Sequence, residues 1–339
     1  MNVLVVGGTG AISTSIVDRL HELNHHVTVL NRGIRKARYR DVPEILIGDK
    51  QNQDQFRALL KDRKFDGVID MISFKPEDAA LTIDALEHRG HHFIFTSTAA
   101  TYKRPMRKLP VTEDCELISR EEESPYGYYK MLMDEYLDSM MKEFPISIIK
   151  PSLTYGVGCQ NVGVMRNNYG IVRRLIQHKP IVVFGDGTNP WTWTFAPDLA
   201  KAYAGVLSRP ICYGQTYHAT SDDHHVWDDL YTEFGRCAGE EPKLVHISTE
   251  MLLKVTSDPF LNLYQEKMYS GIFNNEKIHA AIPEFVCDYT LDKIVEALYG
   301  WYESDPEARI VDEERDKLED TIVERYYRCL DIMSGSKQE

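Results

Sequence analysis

The chain has few cysteines, and no two of them stand in the CxxC spacing that zinc sites and redox motifs use. Because six cysteines are scattered over 339 residues, we expect reduced thiols, no disulfide framework and no metal site. No apolar run approaches the ~18 residues that a membrane-spanning helix requires. The N-terminus also lacks the basic-then-apolar pattern of a secretion signal, because Met1 and Asn2 lead directly into an apolar strand. These absences predict a cytoplasmic protein without a membrane partner.

Positive charge is scarce as well. The chain carries 39 Lys and Arg residues against 52 Asp and Glu residues, a formal net charge of −13. This is the wrong sign for a protein whose main partner is a phosphate backbone, so nucleic acid is not an expected partner. With 21 glycines and 15 prolines, the composition excludes collagen-like and low-complexity chains. A chain of this length is typical of about two domains, each with its own core.

The first 150 residues alternate short apolar runs with longer segments of helical period, which predicts βαβ units on a parallel sheet. Continuous apolar strands indicate burial on both faces, so helices should cover both sides of the sheet. The predicted fold class is α/β, a Rossmann-like doubly wound parallel sheet with a smaller C-terminal α/β substrate domain. The predicted strands are 3–6, 26–30, 44–47, 67–69, 93–96 and 146–149, and the predicted helices are 13–23, 54–61, 77–88 and 126–141.

The rhythm of the sequence changes after Pro151, which indicates a domain boundary. The last segment is highly charged and has apolar residues at helical spacing, which predicts an amphipathic helix that docks on the body or on a partner. We predict a nucleotide-binding domain over 1–155 to which 194–220 returns, a substrate-binding domain over 156–193 and 221–302, and a C-terminal helix and tail over 303–339.

A glycine turn over residues 6–13 follows the first strand and opens the first helix. Gly7 and Gly10 lie where a dinucleotide turn needs a tight bend and unhindered approach of a pyrophosphate, next to the free N–H groups of a helix N-terminus. Ser13 replaces the third glycine of this pattern. A purely structural turn would also use glycine, but the position directly after the first strand favours cofactor binding. The predicted contacts are Gly7, Thr9, Gly10, Ala11 and Ile12.

The end of the second strand predicts which cofactor is bound. The Asp or Glu expected about 20 residues past the glycines, which would bind a ribose, is missing. Asn31 and Arg32 stand there instead, with Arg35 close by, and these arginines can neutralise a 2′-phosphate. We therefore predict NADP rather than NAD, with contacts from Asn31, Arg32 and Arg35. A solvated basic loop is the alternative, more so for Lys36 and Arg38 than for Arg32.

The strongest chemical signal is a tyrosine and a lysine four residues apart. Ser124 is a good N-cap and Pro125 a good first helical residue, so a helix begins here. Tyr126 and Lys130 then share one face of that helix. An ammonium beside a phenol lowers a pKa that is ~10 in water and makes the phenol an acid or base usable near neutral pH. The alternative is an ordinary surface pair.

Together with residues 96–102, which follow the fifth strand, these motifs resemble the extended short-chain dehydrogenase/reductase family, in its branch of NAD(P)-dependent sugar epimerases and dehydratases. The likeness runs from residue 1 to about 300 and includes segments 150–156, 185–188 and 198–200. It implies that Tyr126 is the catalytic acid/base and that Lys130 binds the nicotinamide ribose and tunes Tyr126. It also implies that Thr98 hydrogen-bonds the reacting hydroxyl or carbonyl group.

The resemblance implies further cofactor contacts after the later strands of the sheet. An Asp after the third strand contacts adenine in this family, and Asp49 stands in that place here. The remaining implied contacts are Met71, Ile72, Ser73, Thr96, Lys130, Pro151, Ser152 and Leu153. Relatives of this fold often pair through an interface that includes the catalytic helix, so the resemblance is compatible with a homodimer, although the sequence does not decide the oligomeric state.

The chain departs from the family pattern at two places. Nucleotide-sugar 4,6-dehydratases carry an Asp-Glu pair directly after the Thr of the catalytic loop, but Ala99 and Ala100 stand here and can neither protonate nor remove water. Members that use nucleotide diphosphate sugars usually have an Arg shortly after the 185–188 turn, but Trp191 stands at that place. Trp191 can stack on a sugar or pack in a core. We predict a carbohydrate substrate, whether sugar, glycoside or nucleotide sugar, bound by Thr98, Tyr126 and Trp191.

The predicted activity is that of an NAD(P)-dependent epimerase or oxidoreductase, with 4,6-dehydration disfavoured. Nothing in the sequence separates epimerisation from net reduction or oxidation. The alternatives on the same fold are a catalytically weak cofactor-sensing protein and an RNA-binding protein. The acidic charge argues against RNA, and the intact pair of Tyr126 and Lys130 argues for chemistry.

Overall fold

The computed structural model describes residues 1–35, 38–86, 91–159, 161–255 and 263–335. These described residues form two compact units. The first unit comprises 1–156, 192–222 and 272–288, and the second unit comprises 157–191, 223–271 and 289–339. No helix of the described residues is long and apolar enough to cross a membrane. Within the same residues, no three His, Cys, Asp or Glu side chains are grouped as metal ligands.

The first unit is built on a seven-stranded sheet in which every neighbouring pair is parallel. The strands are β1 (Asn2–Val6), β2 (His26–Asn31), β3 (Glu44–Ile47), β4 (Gly67–Asp70), β5 (Phe93–Thr96), β6 (Ile146–Lys150) and β11 (Gln215–His218). From one edge to the other, their order is β11, β6, β5, β4, β1, β2 and β3. The chain leaves β1 in opposite directions, first toward β3 and then toward β11, so the strand order reverses between β1 and β4.

Helices of the first unit cover both faces of this sheet because its strands are apolar on both faces. They are α1 (Ala11–Glu22), α2 (Gln53–Leu60), α3 (Pro76–Leu86), α4 (Pro125–Met140), α6 (Ala196–Val206) and α9 (Glu276–Ala281). Val3 and Val5 point into a core with α1, α6 and α9. Leu4 and Val6 point into a second core with α2, α3 and α4. The short strands β7 (Leu153–Tyr155) and β10 (Trp193–Phe195) form a separate parallel pair.

The predicted α/β class with a doubly wound parallel sheet is confirmed. Each of the six predicted strands is present, and the four predicted helices begin within two residues of the expected positions. The helix predicted over 77–88 is observed as Pro76–Leu86, and its last two positions lie outside the described residues. These segments were predictable because an apolar run buried on both faces is recognisable without knowing its neighbours.

The second unit contains β8 (Ile181–Phe184), β9 (Pro190–Trp191), β12 (His225–Val226) and β13 (Leu244–Ile247), with helices α5 (Tyr169–Ile176), α7 (Trp227–Ala238), α8 (Thr249–Val255), α10 (Leu291–Ser304) and α11 (Glu313–Ser334). The predicted C-terminal helix is therefore present as α11. It packs within the second unit, where buried Asp316 accepts a hydrogen bond from buried Arg174 of α5 at 3.0 Å.

One segment lies elsewhere than predicted. Residues 272–288 belong to the first unit and not to the substrate-binding domain predicted over 221–302. The amide of Val111 donates to the carbonyl of Ile272, and the side-chain amide of Asn275 donates to the carbonyl of Thr220. These long-range hydrogen bonds leave no signal in the local sequence pattern.

Candidate active site

The carboxyl ends of β1 and β4 mark the point at which ligands bind in open parallel sheets, because the strand order reverses there. The predicted cofactor and catalytic residues follow the carboxyl ends of β1 to β6 or lie on α4, and all of them belong to the first unit. Of all the predicted site residues, only the predicted substrate contact Trp191 lies in the second unit.

The glycine turn after β1 is shaped by the lack of a side chain at position 7. Gly7 has a φ of +88°, and a Cβ there would lie 2.2 Å from Cγ2 of Ile72. Gly10 caps α1, so Ala11 and Ile12 stand in the first helical turn, where their N–H groups have no acceptor within the helix. Thr9 lies partly exposed between the glycines. This cradle of backbone N–H groups suits a pyrophosphate.

Ser13 has a role that the sequence did not reveal. Its Oγ accepts the N–H of Gly10 at 2.9 Å and donates to the carbonyl of Gly10 at 3.1 Å. The side chain of Ser13 is buried, so these two hydrogen bonds stabilise the turn on its buried side. Where the usual pattern has a glycine that allows close packing, this chain has a small polar side chain that also binds the turn.

The loop after β2 presents two exposed arginines. Arg32 and Arg35 are exposed to solvent, whereas Oδ1 of Asn31 accepts the N–H of Gly33 at 2.7 Å and bends the loop. Arg40 is engaged in a salt bridge with Glu22 at 2.7 Å. Lys36 lies outside the described residues. The structure thus leaves Arg32 and Arg35, the two arginines predicted to contact a 2′-phosphate, exposed on this loop, and Arg38 is exposed as well.

Tyr39 ties this loop to the glycine turn and was not identified from the sequence. Its hydroxyl donates to the carbonyl of Gly8 at 2.6 Å. Burial raises the pKa of Tyr39 to about 12, so the phenol stays protonated and keeps donating. A Cβ on Gly8 would lie 2.9 Å from this hydroxyl, so a glycine is needed for the contact.

A buried ion pair shapes the loop after β4. Nζ of Lys50 lies 2.6 Å from Oδ2 of Asp70 and 2.6 Å from Oγ of Ser73. Oδ1 of Asp70 accepts the amides of Ile72 and Ser73 at 3.0 and 2.9 Å. Burial alone would raise the pKa of Asp70, but the Lys50 ammonium and these donors hold it below its usual value. The pair therefore fixes the segment predicted to line the cofactor. Asp49, the predicted adenine contact, is partly exposed and accepts the amide of Gln51 at 3.0 Å.

Lys130 is anchored to the loop after β4 and to the end of β5. Its side chain is only 2% exposed, and Nζ donates to the carbonyls of Ser73 and Thr96 at 2.6 Å each. Nζ also lies 4.7 Å from the centre of the Phe74 ring. Burial lowers the pKa of Lys130 to about 8, although Asp134 and Asp70 act in the opposite direction.

Tyr126 lies in the first turn of the same helix, and its side chain is exposed. Oγ of Ser124 accepts the N–H of Gly127 at 3.2 Å and starts α4 as predicted. The side chain of Tyr126 is 51% exposed, and its ring centre lies 6.2 Å from that of Phe74. Tyr126 and Lys130 thus share Phe74 as a neighbour. A half-exposed phenol is open to a substrate, as an acid/base must be.

Thr98 is held against the start of α4. It has an extended backbone and caps the 3-10 turn Ala99–Thr101, and its Oγ1 accepts the N–H of Ala100 at 3.2 Å. A Cβ on Gly127 would lie 2.2 Å from the carbonyl oxygen of Ala100. The missing side chain at position 127 therefore lets the turn with Thr98 contact the helix with Tyr126 and Lys130.

The remaining predicted cofactor residues lie at or just after the carboxyl ends of β4, β5 and β6. Oγ1 of Thr96 donates to Sδ of Met71 at 3.1 Å and lies 2.8 Å from the hydroxyl of Tyr203. The carbonyl of Pro151 accepts the N–H of Ala99 at 2.9 Å, and Leu153 begins β7. Oγ of Ser152 is buried and has no hydrogen-bond partner among the described residues.

Trp191 does not match its predicted role and requires a correction. The side chain is 0% exposed. Its indole N–H donates to the carbonyl of Lys267 at 3.0 Å, its ring meets that of Trp227 at 6.2 Å, and a Cβ on Gly271 would lie 2.6 Å from it. The packed position that we considered as the alternative is the one observed. Trp191 is a core residue of the second unit and has no exposed face to stack on a sugar.

Comparison with known sequences shows which family this chain matches. A model of the NAD dependent epimerase/dehydratase family matches residues 3–212. The 2′-dehydrokanamycin reductase of Streptomyces kanamyceticus is 24% identical over 260 residues, which are 76% of this chain and 72% of that protein. A putative UDP-glucose 4-epimerase of Methanocaldococcus jannaschii is 26% identical over 237 residues, which are 61% of this chain and 73% of that protein.

Solved structures share the fold. The UDP-glucose 4-epimerase of Bifidobacterium longum in complex with NAD+ and UDP superposes with a TM-score of 0.73 at 16% sequence identity. The superposition covers 91% of this chain and 100% of that chain. The doubly wound sheet described above is therefore the architecture of a known group of enzymes.

Proposed function

The chain belongs to the NAD dependent epimerase/dehydratase family, and we propose that it is an NAD(P)-dependent epimerase or oxidoreductase that acts on a carbohydrate. The observation that carries this proposal is the contact of the Thr98 turn with the start of α4, next to a buried Lys130. A protein that only senses a cofactor or binds RNA has no need of a half-exposed phenol in this setting.

The residues of the first unit fit a dinucleotide. The glycine cradle and the first turn of α1 would hold the pyrophosphate, and Lys130 and the orphaned hydroxyl of Ser152 would face the nicotinamide half. When bound, the nicotinamide supplies or accepts the hydride. The proton transfer and the hydrogen bonds to the substrate are supplied by residues of this chain.

The mechanism needs one proton and two hydrogen bonds at the substrate oxygen. In the direction of oxidation, Tyr126 takes the proton of the substrate hydroxyl, and in the direction of reduction it returns one. Oγ1 of Thr98 already accepts the amide of Ala100, so its own hydrogen can be donated to the same substrate oxygen. The positive charge of Lys130 stabilises the phenolate form of Tyr126.

The pH dependence of turnover follows from Lys130. Its pKa of about 8 means that it is charged below this pH and loses its charge above it. We expect kcat/KM to fall as the pH rises through about 8, because the phenolate then loses its stabilising charge. Steady-state rates between pH 6 and 10 would show this limb. In Lys130→Arg, whose guanidinium stays charged, the same limb should be absent, and a limb that persists there would assign it to another group.

The exposed arginines of the β2 loop support NADP as the cofactor. We expect Arg32→Ala to weaken NADP binding about tenfold, because one charged contact to the 2′-phosphate is lost. NAD binding should change less than about twofold, since NAD lacks that phosphate. Fluorescence titration of both reduced cofactors measures the two affinities, and Arg325→Ala on α11 serves as a control for the loss of a surface charge. Equal losses for both cofactors would show that Arg32 does not contact the 2′-phosphate.

Two features bear on the substrate. Ala99 and Ala100 are both buried and offer no acid or base, so we propose hydride transfer without 4,6-dehydration. The buried Trp191 stands where many users of nucleotide diphosphate sugars have an Arg, so a sugar within a glycoside is as well supported as a nucleotide sugar. The relative that reduces 2′-dehydrokanamycin matches 76% of this chain and makes reduction of a keto sugar the second candidate reaction.

One experiment separates the two reactions. The purified protein is incubated with UDP-glucose and, separately, with NADPH and 2′-dehydrokanamycin, and native mass spectrometry first records any cofactor that co-purifies. A retained oxidised cofactor with isomerised sugar supports epimerisation, whereas consumption of added NADPH supports reduction. A protein that retains no nicotinamide cofactor and binds neither NADPH nor NADH would contradict the proposed function.

A further inference from the structure

A chain of buried polar side chains lies under the turn that carries Thr98. All of its members belong to the first unit and are nearly inaccessible to solvent: Ser97, Thr101, Tyr102, Asp134, Lys150 and His218. Burying so many polar groups is costly unless each finds a partner, and apolar residues of similar size would fill the space more cheaply. The arrangement therefore needs a reason beyond packing.

Lys150 links the turn to the catalytic helix. It ends β6, and its Nζ lies 2.9 Å from Oδ2 of Asp134 and 3.0 Å from Oγ1 of Thr101. Asp134 stands on α4, one turn after Lys130, and also accepts the hydroxyl of Ser97 at 2.8 Å. The same Nζ lies 4.9 Å from the centre of the Tyr102 ring. One ammonium thus contacts the helix at Asp134 and the C-terminal end of the turn at Thr101 and Tyr102.

His218 holds the far end of the turn. It ends β11 and pairs in register with Lys150 on the neighbouring strand. Its Nδ1 lies 3.2 Å from the carbonyl oxygen of Asn274, which can only accept, so Nδ1 carries the hydrogen. Nε2 is then the acceptor for the hydroxyl of Tyr102 at 2.7 Å.

The protonation states agree with this direction of the hydrogen bond. Burial lowers the pKa of His218 to about 4, although Glu113 acts in the opposite direction, so the imidazole is neutral at physiological pH. Burial also raises the pKa of Tyr102, so its phenol stays protonated. Tyr102 donates and His218 accepts across 116 residues of sequence.

We propose that Tyr102 and His218 are positioning residues for Thr98. Their hydrogen bond, together with the contacts of Lys150, fixes the turn Ala99–Thr101 on α4, so the Thr98 hydroxyl meets the oxygen at which Tyr126 acts. Neither side chain touches the reacting atoms. Their effect is on geometry, and an error of about 1 Å at a reacting group can cost about 100-fold in rate.

The test removes only the hydroxyl of Tyr102. We expect Tyr102→Phe to lower kcat about tenfold, with KM and the affinity for NADPH within about twofold of wild type. Amide hydrogen exchange in the 97–103 segment should be faster than in wild type. Tyr231→Phe is the matched control, because it removes a buried phenol that accepts the amide of Val164 in the second unit. It should leave both kcat and the exchange of that segment unchanged.

A coupling measurement distinguishes positioning from a general loss of stability. If Tyr102 acts through Thr98, then adding Tyr102→Phe to Thr98→Val should lower kcat less than about twofold further. His218→Gln, which keeps an acceptor for Tyr102, should retain more activity than His218→Leu. The inference would be overturned if the losses in kcat of the two single variants multiplied in the double variant. It would also be overturned if amide hydrogen exchange of the 97–103 segment were unchanged in Tyr102→Phe.

This inference rests on the proposed function, and the two fail differently. A wild type that turns over neither UDP-glucose nor 2′-dehydrokanamycin, retains no nicotinamide cofactor and binds neither NADPH nor NADH would contradict both. An active wild type together with a fully active Tyr102→Phe would contradict the positioning role alone.

Discussion

Replacing Tyr126 by Phe is expected to lower kcat about 1,000-fold, because the substrate oxygen then lacks its acid/base. The phenyl ring keeps its place beside Phe74, whose ring centre lies 6.2 Å away, so the fold should be preserved. The side chain of Tyr126 is 51% exposed, so we expect the melting temperature to stay near that of wild type. The affinity for NADPH should also change little, since the glycine turn and Lys130 remain.

The measurement compares kcat and the dissociation constant of NADPH in Tyr126→Phe and Tyr129→Phe. Tyr129 lies on the same helix, but Met133 stands four residues later, so it has no lysine on its face. Tyr129→Phe should remain active within about threefold. If Tyr126→Phe kept most of its activity, Tyr126 would be removed from the mechanism and another acid/base would have to be sought.

Replacing Gly127 by Ala is expected to reduce both activity and stability, although the change adds a single methyl group. Its Cβ would lie 2.2 Å from the carbonyl oxygen of Ala100 and 3.0 Å from the carbonyl carbon, and neither backbone atom can rotate away. The turn and the helix must separate, at a cost of about 1–3 kcal/mol in the free energy of unfolding. Because Thr98 moves with the turn, we expect kcat to fall about 100-fold.

Gly300→Ala is the matched control for this substitution. Gly300 lies within α10, and a Cβ there would meet nothing within 4 Å. Alanine in a helix is more favourable than glycine, so this variant should gain about 0.5–1 kcal/mol in the free energy of unfolding. Urea denaturation of both variants measures the contrast. A Gly127→Ala protein as stable and as active as wild type would show that the close contact of turn and helix is not needed.

Lys50 and Ser13 show how far prediction from the sequence reached in the site. The glycine turn was recognised because its glycines stand directly after the first strand. The hydrogen bonds of Ser13 to Gly10 were not foreseen, since a small residue at that position also fits a purely steric role. Nothing in the sequence singles out Lys50, because the sequence does not reveal that Asp70 lies 2.6 Å from its ammonium.

Asp134 offered a signal that was overlooked. It follows Lys130 by four residues, as Lys130 follows Tyr126, so all three stand on one face of α4. A carboxylate on a helix face that otherwise leads into the core indicates a buried partner, and Lys150 is that partner. Trp191 is the opposite case: an aromatic residue fits both a binding face and a core, and the pattern alone does not separate them.

The sequence by itself determined the doubly wound sheet, the glycine turn and the helix with Tyr126 and Lys130. Each of these depends on the period of apolar residues, on capping or on turn chemistry, all of which act between near neighbours in the chain. Only the tertiary structure decided that Trp191 is a core residue, that Lys50 meets Asp70, and that His218 lies under the Thr98 turn. Those contacts arise when distant segments align on one sheet, and the free energy of burying a polar group depends on the partner it finds there.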